Sequence, residues 1–232
     1  MPRNTDKQAI TYADALAAFK WDSGENGIIA SVLREHFSDA LVAPVLDVGA
    51  GSGELAALAF PDRNAFLLDL DDYRPSANPL HHRIQGDFLG VDLSAIHPST
   101  VLFCHSLNFL TRDAGRLTHQ LRQTGARTAI VVSNENTGTL HEIVDRLTVA
   151  GMACNPTFHV PVPEAGLEMR IPFSVPVKCA DFRMLSKHFV RILLDCDLTD
   201  TMLSAAERDL HRLTNTPKVE IAEAIYCYRL HG

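Results

Sequence analysis

Between residue 45 and about residue 151, short apolar runs alternate with amphipathic stretches. The runs fall at residues 45–48, 65–68, 101–104 and 128–132, with a weaker one at 83–84. Runs of this length, separated by segments long enough for a helix, predict parallel strands joined by crossover helices. The intervening segments keep helical spacing. In residues 111–124, Leu117 and Leu121 share a face and Gly125 follows. Leu140, Ile143, Val144 and Leu147 form a second apolar stripe that ends at Gly151, a plausible C-terminal cap.

Two flanks surround this pattern. Tyr12, Leu16 and Phe19 share one helix face, and Ile28, Ile29, Val32, Leu33 and Phe37 form another after the turn Trp21-Asp22-Ser23-Gly24-Glu25-Asn26. On the C-terminal side, residues 156–176 read as proline-rich and extended. Phe182, Leu185, Phe189, Ile192 and Leu193 then define a helix, and a shorter helix follows at 203–213. Val219, Ile221, Ala222, Ile225, Tyr226 and Tyr228 suit a final strand over 220–230, antiparallel and at or near the sheet edge. The expected fold is α/β: a doubly wound, Rossmann-like, mostly parallel sheet with an N-terminal helical lid and C-terminal helical and extended additions. One domain over 1–232 is expected, with a helical cap at 1–44, a cofactor-binding core at 45–151 and substrate-side additions at 152–232.

Composition changes this picture little but excludes some functions. A chain of 232 residues, 46% hydrophobic, is long enough to bury a large core. Net charge is -7, and no block of Lys or Arg supplies the basic footprint of nucleic-acid binding. The five cysteines, at 104, 154, 179, 196 and 227, are scattered and form no C-x-x-C pair, which suits reduced thiols over disulfides or zinc. The first residues lack an apolar signal region and no run approaches a membrane span, so a cytoplasmic protein is expected. A homodimer is left open.

Chemistry concentrates in Val45-Leu46-Asp47-Val48-Gly49-Ala50-Gly51-Ser52-Gly53-Glu54. Glycine at every second position lets the backbone turn tightly and lie against a ligand with no Cβ in the way. A helix opening at Gly53 aims free N–H groups at the same spot. The dinucleotide fingerprint requires glycine at position 54, and Glu54 stands there, which argues against NAD. With Asp47 two residues before the first glycine, the segment resembles motif I of the class I S-adenosylmethionine (SAM) methyltransferases.

That resemblance covers roughly residues 45–151 and implies SAM as cofactor, with further anchors in order. Asp69, ending the second strand, is the expected partner of the ribose hydroxyls, with Asp71 and Asp72 close enough to leave the assignment open by two residues. Gly86-Asp87-Phe88 looks like the family's adenine motif, with Asp87 accepting from the adenine amino group and Phe88 packing the ring. His105-Ser106-Leu107-Asn108 after the fourth strand resembles the post-strand segment of small-molecule methyltransferases. His105 is therefore expected at the cofactor and as first candidate for a general base, with Glu135 and His159 behind it. Trp21, Asn108 and His159 are the candidate substrate contacts. No N-P-P-Y or D-P-P-Y segment follows the fourth strand, which weakens a DNA-adenine or glutamine N-methyltransferase reading. The catechol-type metal set is missing too, since Ser133-Asn134-Glu135-Asn136 ends the next strand, so no catalytic metal is expected. The sequence thus predicts methyl transfer from SAM to the O or N of a small molecule, in biosynthetic or secondary metabolism. The alternatives are a SAM-binding catalyst of another reaction, such as a cyclase or pericyclase, and a non-catalytic partner subunit.

Overall fold

The computed structural model describes residues 23–72, 76–149, 158–179, 181–193 and 200–231. The Tyr12, Leu16 and Phe19 face and Trp21 lie outside the described residues.

Seven strands form one sheet: β1 Val45–Val48, β2 Ala65–Asp69, β3 His81–Gln85, β4 Thr100–Cys104, β5 Thr128–Thr137, β6 Ala165–Lys178 and β7 Lys218–Leu230. Their spatial order is β3-β2-β1-β4-β5-β7-β6. Strands β1 to β5 pair in parallel, and β7 pairs antiparallel with β5 from Thr128↔Arg229 to Asn134↔Glu223. The chain steps outward from β1 through β2 to β3, then crosses back so that β4 lies on the other side of β1. This reversal opens a crevice at the carboxyl ends of β1 and β4, where open α/β sheets bind ligands.

Helices cover both faces of the strands. Along β1, Val45 points to one face and Leu46 and Val48 to the other, and all three are buried. Helices α1 (Glu25–His36) and α2 (Glu54–Ala59) cover the first face. There Ile29, Leu33, Leu55 and Ala56 pack with Leu67, Leu102, Ile130 and Ile225. On the second face lies α4 (Ala114–Thr124), entered through the short α3 (Leu107–Leu110) and a 3-10 turn at Thr111–Asp113. Its Leu117 and Leu121 pack with Val101, Phe103 and Val131. Burial on two faces explains why these strands read as unbroken apolar runs. Each fully buried Leu, Ile or Phe contributes roughly 1.5–3 kcal/mol. The ends of α4 are set locally: Asp113 accepts from the Arg116 N–H at 3.1 Å, and Gly125 closes the helix at φ 67°.

Contacts group the chain into two compact units. One unit comprises Glu25–Asn136, Thr157–Ser174 and Ala222–Gly232. The other holds the described parts of Thr137–Pro156 and Val175–Ile221, with helices α5 (Gly138–Val149), α6 (Phe182–Leu193) and α7 (Asp200–Leu213). Within that second unit Leu140, Ile143, Leu185, Leu203 and Leu210 are buried.

Three details differ from the sequence pattern. β5 runs five residues past Val132, because pairing with β7 continues through Ser133 and Asn134. The extended segment near residue 165 becomes the long strand β6, which takes the edge and leaves β7 one position inside it. α2 has only six residues, so its macrodipole adds little to the glycine turn. Among the described residues, no helix is long and apolar enough to cross a membrane. Among the described residues Cys104, Cys179 and Cys227 are in no disulfide, and burial pushes the Cys227 thiol up to about 11.

Candidate functional site

The turn after β1 is built to leave space. Gly49, Gly51 and Gly53 have φ of 75°, 53° and 79°, the left-handed region that favours glycine. A Cβ on Gly49 would stand 2.7 Å from Ser106 Cβ, and one on Gly53 would stand 2.8 Å from Leu67 Cδ1. Those two glycines are therefore demanded by packing as well as by conformation. A Cβ on Gly51 would meet nothing within 4 Å. The middle glycine alone of the three faces open space, as expected of a backbone surface that receives a ligand.

Side chains hold the turn in place. Asp69, the last residue of β2, accepts from the Gly51 N–H at 2.8 Å and from the Asp71 N–H at 3.1 Å. Asp71 and Asp72 themselves are exposed. Of the three candidate acids, Asp69 is thus the one that reaches the turn, and each carboxylate oxygen keeps a lone pair for a further donor. From β3, Arg83 donates to the Gly51 carbonyl at 2.5 Å and to that of Ser52. Asn26 in the first turn of α1 donates to Glu54 at 2.7 Å, so the residue in place of a third fingerprint glycine anchors a helix. Asp47 is buried on β1, below the turn.

The adenine motif divides in two. Asp87 is exposed, and its Oδ1 accepts from the Leu89 N–H at 3.0 Å. Phe88 is only 3% exposed and packs edge-on against Phe103, with ring centroids 5.6 Å apart. It serves the core, which leaves Asp87 as the member of the pair at the surface.

After β4 the chain turns sharply, with His105 at φ 55°. Ser106 beyond it donates to the Val48 carbonyl, tying this bend to the glycine turn. Asn108 is buried. The His105 imidazole faces two carboxylates. Its Nε2 lies 3.6 Å from Glu25 Oε1 and 3.7 Å from Glu223 Oε2. Glu25 is 4% exposed and Glu223 fully buried. Among the described residues, neither oxygen of Glu223 accepts a hydrogen bond.

A second cluster occupies the end of β5. Glu135 accepts from the Arg170 guanidinium and the Tyr226 hydroxyl. Burial would raise the Glu135 pKa, but the hydrogen bonds from Arg170 and Tyr226 outweigh it, and the net shift is downward. Burial and the Glu135 contact push Tyr226 up to about 12. His159 stacks on the Tyr226 ring at 3.5 Å between centroids, and its Nε2 is 2.7 Å from the Tyr228 hydroxyl. Burial lowers the His159 pKa, against the opposing pull of Glu135. Of the candidate bases, Glu135 and His159 are therefore committed to this cluster, and His105 stands apart from it.

Sequence reasoning missed Glu25, Arg83, Arg170 and Glu223. One had a readable signal. In β7 the apolar positions alternate as Val219, Ile221, Ile225 and Cys227, and Glu223 takes the remaining place in that register. A carboxylate on the core parity of a strand is a functional flag.

No protein-family profile matches the sequence, and no curated protein matches it. Solved structures do. A candidate methyltransferase from Bacillus halodurans C-125 superposes with a TM-score of 0.56 at 13% identity, covering 89% of this chain and 99% of that one. The YcgJ protein from Bacillus subtilis gives 0.55 at 11%, with coverages of 90% and 99%. A candidate methyltransferase from an antibiotic biosynthesis pathway in Anabaena variabilis ATCC 29413 gives 0.52 at 15%, with 86% and 95%. At such identities the likeness is one of fold, a mostly parallel Rossmann-like sheet shared with structures described as methyltransferases.

Proposed function

We propose that this chain binds SAM at the Gly49–Gly53 turn and transfers its methyl group to the oxygen or nitrogen of a small molecule. The observation that carries the reading is Gly51: a left-handed residue with open space where a Cβ would stand, bonded through its N–H to the carboxylate that ends β2. In this reading the ribose lies on Asp69, the adenine end is met by Asp87, and the methyl group points toward the bend at His105. The fold supports it, and the neighbouring structures described as methyltransferases make it the economical choice.

Methyl transfer is an in-line displacement in which the sulfonium is already a good leaving group. The protein's main task is to hold the acceptor about 3–3.5 Å from the methyl carbon. A base is needed only where the acceptor must lose a proton, and the side chains at hand are His105 with Glu25 and Glu223. The net charge of -7 favours a small acceptor over a nucleic acid. The test is a screen of metabolite extracts with isotopically labelled SAM and mass-spectrometric detection. The reading requires a product carrying the labelled methyl group. A SAM-bound chain that yields an unlabelled, rearranged product would replace it with a SAM-dependent catalyst of another reaction.

A further inference from the structure

We propose that Glu25, His105 and Glu223 form a binding site for a divalent first-row transition-metal ion. Each residue offers one ligand atom, and the three atoms lie within 4.8 Å of one another. They come from three separate elements, the start of α1, the bend after β4 and the middle of β7. Around an ion with bonds of about 2.1 Å, neighbouring ligand atoms stand roughly 3.0–3.4 Å apart. The observed separations of 3.6 and 3.7 Å from His105 need only a small inward shift.

Charge makes the same point independently. Two carboxylates buried together need compensation by protons, cations or hydrogen-bond donors. Glu223 is fully buried, and its oxygens accept no hydrogen bond among the described residues. At 3.7 Å the imidazole is beyond hydrogen-bonding distance as well. A divalent ion answers both the charge and the empty lone pairs. One imidazole nitrogen with two carboxylate oxygens suits zinc, iron(II), cobalt(II) or manganese(II), whereas an all-oxygen set would suit magnesium or calcium. This set is unrelated to the catechol-type arrangement whose absence led the sequence to predict no metal.

Three protein ligands leave positions open for another oxygen, and His105 borders the crevice between β1 and β4. The role of that oxygen rests on the methyl-transfer reading. An acceptor hydroxyl bound there would lose its proton to water more readily. Its oxygen would then attack the methyl carbon while the C–S bond breaks, its electron pair staying on sulfur to give S-adenosylhomocysteine. Ion binding itself does not depend on this chemistry, so the two fail separately.

The experiment is a titration of the tag-free, metal-stripped full chain with cobalt(II), followed by its visible d–d absorption and by metal analysis after desalting. SAM affinity is measured in parallel by calorimetry. The site predicts one equivalent of cobalt per chain, displaced by zinc. It predicts at least 100-fold weaker binding in Glu223→Gln and His105→Ala, with little change in Glu135→Gln. Glu25→Gln provides the same test should Glu223→Gln fail to fold. Absence of cobalt binding by the wild type, or equal binding in the wild type and all three cluster variants, would overturn the site and leave a half-buried histidine between two buried carboxylates. Cobalt binding without SAM affinity would uphold the site and remove the methyl-transfer reading.

Discussion

Two carboxylate clusters in the same compact unit handle negative charge in opposite ways. Glu135 receives a guanidinium and a phenol, and its pKa is held down despite burial. Glu25 and Glu223 are more deeply buried, yet the cationic partner they share is one imidazole at 3.6 and 3.7 Å. The two stand close along the sheet, since Glu223 pairs with Asn134 in register, next to Glu135. A carboxylate neutralised by its own chain belongs to the scaffold. A carboxylate such as Glu223, fully buried and accepting no hydrogen bond among the described residues, is organised around something added.

The largest test of this contrast replaces each acid by a hydrophobe. Glu223→Leu removes a buried carboxylate whose oxygens accept no hydrogen bond among the described residues, so it is expected to raise the stability of the metal-free chain while abolishing cobalt binding. Glu135→Leu strands the Tyr226 hydroxyl and the Arg170 guanidinium and is expected to destabilise by about 1–3 kcal/mol. Urea unfolding midpoints measure both. Shifts of the same sign would erase the distinction between the clusters.

A smaller effect separates both clusters from the cofactor turn. Asp69→Ala should weaken SAM binding by about 1–3 kcal/mol through lost hydrogen bonds, with cobalt affinity unchanged. Gly51→Val should also block SAM; its side chain enters open space, but the left-handed φ of 53° strains a β-branched residue and costs some stability. Gly53→Val, pressed against Leu67, should lower stability as well. If Asp71→Ala were the variant that lost SAM while Asp69→Ala kept it, the ribose would be bound two residues further on.

The smallest effect is one of pH. Glu135 has a folded-state pKa below its ordinary 4.5, so the stability it contributes is full above pH 4.5 and is lost as pH falls through the lower folded-state value. Arg170 is partly exposed, and screening limits the contribution to about 1 kcal/mol or less. Arg170→Ala should flatten that acid limb in a series of unfolding curves between pH 3 and 5. An unchanged acid limb would show that the guanidinium does not set the Glu135 charge.

What was legible in the sequence follows the range of the interactions. The glycine turn, Asp69 and the apolar strands are local patterns, and a buried parallel sheet writes itself as unbroken apolar runs. The length of β5 was not legible, because polar residues 133–137 belong to the strand only through tertiary pairing with β7. Phe88 read as a cofactor contact because its motif is local, whereas its burial against Phe103 is not. Glu25, His105 and Glu223 are separated by 80 and 118 positions, so no spacing rule joins them. Glu223 alone left a trace, as a carboxylate in the apolar register of β7.

The central claim is that the turn at Gly51 and Asp69 holds SAM. Calorimetric titration of the full chain with SAM, S-adenosylhomocysteine and NAD tests it most directly. The account predicts one saturable site for each adenosyl compound, mutually competitive, with NAD far weaker. Binding of NAD with no measurable affinity for either adenosyl compound would contradict it.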